Sequence, residues 1–230
     1  MTLVPNDTRR RAGHMVAIAV VASLASVAVS RPAVAQDRRL AARLDSATAE
    51  AVTRLVDSVR AVGLPSEPLI GVALEGASRR APADRILGAV REYASALGAA
   101  RATLGESAAS DEITSAAGVI VAGVPARVVA EYRAARPDGS LTVPFVVLAD
   151  LVARGVPADT AAESLGSALR GGARDDQLTE LRRRIERDIL AGAKPATAMT
   201  IRTRDLPGVA PGGATPVRGR SPRLRRPGPG

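Results

Sequence analysis

The chain has 230 residues and contains no cysteine and no tryptophan, and its single histidine is His14. The absence of cysteine excludes disulfides, thiolate metal sites and cysteine nucleophiles. Aromatic side chains are almost as scarce, because Tyr93, Tyr132 and Phe145 are the only three. We expect both tyrosines to be half-buried with the hydroxyl group in solvent, and Phe145 to lie in the core.

The first 35 residues have the three-part pattern of a secretory signal. Arginines occupy positions 9–11, an uncharged and mostly apolar run covers positions 16–29, and the small residues Ala33 and Ala35 follow. A membrane span needs about 20 apolar residues, so an uncleaved N-terminal anchor is the weaker interpretation. We predict cleavage after Ala35, with Gln36 as the first residue of an exported, periplasmic or extracellular chain.

Export would remove the only histidine together with the signal. Without His and Cys, the mature chain lacks Ser-His-Asp and Cys-His arrangements and imidazole zinc sites. It also has no glycine-rich phosphate-binding motif. Carboxylate catalysis remains open, but acids stand beside arginines at helical spacing, as Glu180 and Arg184 do. The sequence therefore predicts no catalytic residue, no metal site and no cofactor.

The formal net charge of +9 is concentrated at the two ends of the chain. Residues 36–194 carry 21 basic and 21 acidic side chains, so this part is neutral overall. Residues 195–230 carry seven arginines and one acid, together with many prolines and glycines. Such a composition cannot bury enough apolar surface to offset chain entropy. We therefore predict a disordered basic tail that begins at Pro195.

The tail is the part of the chain whose composition points to a partner. Five arginines lie close together, at Arg218, Arg220, Arg223, Arg225 and Arg226. Guanidinium groups pair bidentately with phosphate and attract polyanions. Outside the cytoplasm, the candidate partners are lipid headgroups, lipopolysaccharide and acidic polysaccharide, and we expect no sequence-specific nucleic-acid binding. The alternative is a tail without a selected partner.

The middle of the chain has the apolar spacing of helices. An all-α domain of seven or so short-to-medium helices is predicted over residues 36–194, between disordered termini. The predicted helices cover residues 39–62, 67–79, 82 to near 105, 110–121, 126–135, 143–154, 159 or 160 to 169, and 174–191. A strand at 141–148 is disfavoured because Pro144 lies inside it.

Three helix ends share the pattern Gly-(Leu/Val)-Pro. The structural residues are Gly63 and Pro65, Gly123 and Pro125, and Gly155 and Pro157. Glycine adopts the left-handed conformation past a helix end, and proline prevents continuation. Overlaying the chain on itself at an offset of 92 residues pairs the first stop with the third. Two arrangements fit these patterns: degenerate helix-pair repeats or an irregular bundle.

These patterns together predict an exported, non-enzymatic interaction or envelope-associated module with a polyanion-binding tail. The alternative is a carboxylate-dependent hydrolase or a carrier of an apolar ligand. A hydrolase would bring two acids together without basic partners. A carrier would enclose an apolar cavity among the helices around residues 86–152.

Overall fold

The computed structural model describes residues 38–206, and within them the chain is all-α, as predicted. A single helical turn at 38–41 precedes nine longer helices, and no strand is present in this range. The helices are α1 (Ser46–Ala61), α2 (Glu67–Ser78), α3 (Ala83–Leu104), α4 (Ser110–Val121), α5 (Ala126–Ala135), α6 (Thr142–Ala153), α7 (Ala158–Arg170), α8 (Asp175–Leu190) and α9 (Pro195–Arg204). The predicted signal peptide lies outside the described residues.

The predicted helix over 39–62 is interrupted before α1. Asp45 is the N-cap, and its Oδ1 accepts a hydrogen bond from the backbone N–H of Thr48 at 3.0 Å. Its Oδ2 accepts a second one from the Thr48 hydroxyl at 2.6 Å. These bonds lower the pKa of the Asp45 carboxyl. An aspartate N-cap favours a new helix start over continuation, so one predicted helix becomes a turn and a helix. The number of helices therefore exceeds the prediction.

Helix α9 corrects the predicted domain boundary at 194/195. Pro195 lies in the first turn of this helix, where its missing N–H costs nothing, so it begins a helix instead of ending the domain. Ala198 and Met199 are buried. Arg202 pairs with Asp188 of α8, with Nε to Oδ2 at 2.6 Å and Nη2 to Oδ1 at 2.9 Å. The folded part therefore extends at least to Leu206.

The three glycine stops adopt left-handed backbone conformations. Gly63, Gly123 and Gly155 have φ of +72°, +90° and +88°. At each end the next residue donates its N–H to the carbonyl five residues earlier, as Leu64 does to Val59 at 3.1 Å. This is the Schellman geometry, which satisfies carbonyls at the last helical turn. The same bond recurs at three further ends, where Ala81, Ala173 and Ala193 donate.

The principal helix contacts join neighbours one or two positions apart along the chain. Helix α3 packs against α1, α2, α4 and α5, and α6 packs against α4, α7 and α8. Helix α9 closes the described part on α7 and α8. The core is formed by Leu, Val, Ile and Ala, with Tyr132 stacked on Phe145 at a ring-centroid distance of 5.9 Å. Among these helices, none is long and apolar enough to span a bilayer.

Candidate functional site

A groove of about 720 Å³ lies between α2 and α3. It is open to the surface along the two helices and along the turn that joins them. The lining residues are Pro68, Gly71, Val72, Glu75, Gly76, Arg79, Arg80, Ala81, Pro82, Arg85, Ile86, Ala89 and Tyr93. Pockets for small ligands usually measure about 300–1,000 Å³, so this groove is large enough to hold one.

Two glycines of α2 shape the floor of the groove. At Gly76 an added Cβ would lie 2.8 Å from Cγ1 of Ile86, so α2 and α3 can approach closely there only without a side chain. At Gly71 an added Cβ would meet no atom within 4 Å. Helix packing therefore does not require glycine at position 71. Because Gly71 has no side chain, this end of the groove stays open. Val72 and Ala89 add apolar surface.

The rim of the groove is cationic. Glu75 and Arg79 form an exposed ion pair at 2.7 Å. The side chains of Arg80 and Arg85 are exposed, and their guanidinium groups form no ion pair or hydrogen bond with the described part of the chain. Three arginines against one glutamate leave the groove with an excess of positive charge. The site is thus apolar along its floor and positive at its edge.

Arg80 has an unusual backbone conformation for its residue type. Its φ is +55°, the only positive value at a non-glycine residue between positions 38 and 206. The left-handed conformation costs an L-residue roughly 1–2 kcal/mol. The following N–H, of Ala81, bonds to the carbonyl of Gly76 at 3.0 Å and holds the turn. At the other five Schellman ends the equivalent position is glycine.

Tyr93 closes the α3 side of the groove. Its hydroxyl donates a hydrogen bond to the carbonyl of Thr114 on α4 at 3.2 Å, and the side chain is half-buried. Burial raises the pKa of the Tyr93 phenol, so it stays protonated. Tyr132 differs from the expectation of a half-buried ring, because it is fully buried and donates to the carbonyl of Ala162 at 3.0 Å. Phe145 is buried as expected.

The acidic side chains form a second set of candidates. Every carboxylate that is not exposed between residues 38 and 206 is paired with an arginine: Glu112, Asp150, Asp175, Glu180, Glu186 and Asp188. No group of three or more potential metal ligands occurs in the same range. Hydrogen bonds from Arg184 and Arg202 lower the pKa of Glu180 and Asp188 respectively.

Glu112 is the most buried of these acids. Its Oε2 lies 2.7 Å from Nη2 of Arg133, and its Oε1 accepts the backbone N–H of Leu141 at 2.6 Å. Arg133 also donates from Nη1 to the carbonyls of residues 136, 137 and 139 at 3.0–3.2 Å. One ion pair therefore holds the loop between α5 and α6. Both carboxylate oxygens of Glu112 and both terminal nitrogens of Arg133 are occupied within the protein, which makes this pair a structural cluster.

Asp150 joins α6 to α8. Its Oδ2 accepts from Nη1 of Arg182 at 2.7 Å and from Nε of Arg154 at 3.3 Å. Arg154 extends the network to Glu186 at 2.8 Å. Burial raises the pKa of the Asp150 carboxyl, but the hydrogen bonds from the two guanidinium groups outweigh burial, and the pKa is lowered.

The lowered pKa of Asp150 predicts a contribution to acid sensitivity. The ionised form is favoured by folding, so its stabilisation is present above the unfolded value of 3.8 and is lost as the pH falls through the folded pKa. We expect Asp150→Asn to weaken the loss of stability as the pH falls below about 5, measured by urea denaturation. Asp159→Asn is the control, since this exposed carboxylate has no partner among the described residues. Equal acid sensitivity in the two variants would refute the assignment.

The structure does not bring the residues singled out from the sequence into one site. The cleavage residues Ala33, Ala35 and Gln36 and the arginines between 218 and 226 lie outside the described range. The glycine stops lie at three different helix ends. The groove was missed, although a signal existed: Gly71 and Gly76 lie on one short helix, directly followed by Arg79 and Arg80.

Comparisons of the chain with protein-family models, with curated proteins and with solved structures find no match.

Proposed function

We propose that this protein is an exported, non-enzymatic interaction module that associates with the cell envelope. The pairing of every non-exposed carboxylate with arginine carries this proposal. General acid catalysis by a carboxyl group needs a pKa raised towards the working pH. Among the described residues, each carboxyl pKa that shifts is lowered, including those of Asp150, Glu180 and Asp188. A carboxylate held ionised by guanidinium groups is a poor proton donor.

The carrier alternative receives less support than the interaction module. A carrier would enclose its ligand among helices α3 to α6, but the side chains there form the packed core, including Leu97, Ile113, Phe145 and Leu148. No buried side-chain polar atom in the described range lacks a hydrogen-bond partner. Buried apolar side chains thus lie where a carrier would need its cavity, which favours binding at the surface.

Of the two helical arrangements, we propose the irregular bundle. The helix ends do recur at an offset of 92, since left-handed residues occur at Gly63 and Arg80 and again at Gly155 and Gly172. The packing does not recur with them. Helix α2 packs extensively on α3, whereas the equivalent pair, α7 and α8, make no principal contact with each other. In a repeat array, equivalent helices make equivalent contacts.

The C-terminal arginines are the proposed tether. Five arginines and no acid occur after Leu206, whereas residues 38–206 carry 23 basic and 21 acidic side chains. The proposed partner is an anionic envelope surface, such as lipid headgroups or lipopolysaccharide phosphates. Each arginine near an anionic surface contributes about 1 kcal/mol, and the contribution falls with salt.

Removal of the residues after Leu206 tests the tether. We expect binding to vesicles that contain anionic lipid to fall by roughly 100-fold or more at low salt, with little binding to neutral vesicles in either form. The shortened chain should end at Leu206 and not at Lys194, because α9 contributes Ala198 and Met199 to the core. A full-length variant with five Arg→Lys changes is the control, since it keeps the charge. Salt-independent binding, or equal binding by the shortened chain, would refute the tether.

A further inference from the structure

We propose that the groove between α2 and α3 binds a free single-chain amphiphile with an anionic headgroup. The alkyl chain would lie along the apolar floor, and the headgroup would pair with Arg80 and Arg85. This site is separate from the proposed C-terminal tether, which concerns residues outside the described range. Three properties of the groove lead to this ligand class: its floor, its charge and its lack of other polar groups.

The floor fits an aliphatic chain. Val72, Ile86 and Ala89 line it, and the bare position of Gly71 leaves room for a ligand methylene chain. Each methylene removed from water contributes roughly a fourfold gain in affinity when burial is complete. The open groove buries an alkyl chain only in part, so a smaller gain for each methylene is expected.

The polar groups of the groove disfavour sugars and nucleotides. Such ligands need several hydrogen-bond donors and acceptors at defined positions. The Tyr93 hydroxyl already donates to the carbonyl of Thr114, and Glu75 is paired with Arg79. The remaining polar side chains, Arg80 and Arg85, are donors without a partner in the described part of the chain. Planar guanidinium groups without acceptors match a carboxylate or a phosphate.

Charge also argues against occupation by the chain's own ends. The segments outside the described residues carry arginine clusters at positions 9–11 and 218–226. These clusters have the same sign as the groove rim, so they would be repelled from Arg80 and Arg85. An anionic ligand neutralises this rim instead.

The conformation of Arg80 is a further reason to assign a role to it. Five equivalent helix ends use glycine at the left-handed position, where it causes no strain. Arginine at position 80 is strained there and makes no compensating ion pair. Backbone strain of this kind tends to occur at ligand sites, and here the strained residue lines the groove.

The first test fills the groove. Gly71→Leu places a side chain in the groove, and Gly88→Leu is the matched control, because both glycines lie inside helices with no atom within 4 Å of an added Cβ. Gly88 does not line the groove. We expect both full-length variants to melt at or above the temperature of the unchanged chain, because leucine favours helix. Dodecanoate binding, measured by calorimetry below its micelle concentration, should weaken at least tenfold in Gly71→Leu alone.

The second test removes the charge. Arg80→Gly combined with Arg85→Gln should weaken dodecanoate and dodecyl phosphate binding by about tenfold or more, since charge-assisted pairs are lost. Arg91→Gln on α3 is the control, as this exposed arginine does not line the groove. Dodecyltrimethylammonium, which has the same chain with a cationic head, should bind weakly to every form.

Several results would overturn the groove proposal. One is equal dodecanoate binding by Gly71→Leu and Gly88→Leu. Another is that the protein binds dodecyltrimethylammonium as tightly as dodecanoate. A third is that the protein binds anionic vesicles but no free dodecanoate. Dodecanoate binding should persist in the chain that ends at Leu206. A loss of vesicle binding with retained dodecanoate binding would therefore separate the tether from the groove.

Discussion

Replacement of Glu112 by alanine is expected to lower the free energy of unfolding by about 3 kcal/mol. The change removes the partner of Arg133 and the acceptor of the Leu141 N–H, both at distances below 3 Å. A guanidinium group then remains half-buried without a counter-charge, and a buried N–H loses its hydrogen bond. The loop between α5 and α6 also loses its anchor, because Arg133 holds three of its carbonyls. Urea denaturation followed by circular dichroism measures the loss.

Two variants serve as controls for Glu112→Ala. Glu106→Ala removes an exposed carboxylate without a partner in the described range, and a change within about 0.5 kcal/mol is expected. The double variant, with both Glu112 and Arg133 changed to alanine, should lose less free energy of unfolding than the two single variants added together. When both charges are removed, no unpaired charge remains. The role of the pair would be contradicted if the losses of the two single variants simply added in the double variant. It would also be contradicted if Glu112→Ala and Glu106→Ala lost the same free energy of unfolding.

The helices could largely be predicted from the sequence because the signals that begin and end them are local. Gly-X-Pro stops, acids in first turns and apolar spacing all act within one helix. The predicted helix at 126–135 has the bounds of α5, and the predicted helix at 110–121 has those of α4. Helix α9 was missed because the Arg, Pro and Gly content of residues 195–230 was taken to indicate a disordered tail. Its stability depends on Asp188, which belongs to another helix.

The candidate sites depend on contacts between distant parts of the chain, and these were not predictable. Glu112 looks like an acid that complements a helix N-terminus, but its partner N–H lies 29 residues away. Tyr132 is buried because Phe145 and the carbonyl of Ala162 approach it from other helices. The groove exists because Gly76 lets α2 and α3 approach closely near Ile86, while Gly71 has no side chain to fill the space beside it. The sequence contains both glycines, but not the relative placement of the two helices.

Replacement of Phe145 by alanine is expected to lower the free energy of unfolding by about 3–5 kcal/mol. The ring is fully buried on α6, and it stacks on Tyr132 with an interplanar angle of 3°. Helix α6 packs against α4, α7 and α8, so a cavity at its centre affects several interfaces at once. Thermal or urea unfolding measures the loss. Val146→Ala is the neighbouring control, because Val146 is 51% exposed and its truncation should cost far less.

The effect of Phe145→Ala should also be local, because the principal contacts join helices at most two positions apart. Helix α6 loses packing against α4, α7 and α8, and against α5 through Tyr132, whereas α2 and α3 share no principal contact with α6. Subglobal opening follows such contact patterns. Amide hydrogen exchange should therefore accelerate in α5, α6 and α7 before it does in α2 and α3. Dodecanoate binding should also survive in the folded variant. Uniform acceleration over residues 46–204 would instead mean that the helices open as one cooperative unit, and that the groove depends on the whole core.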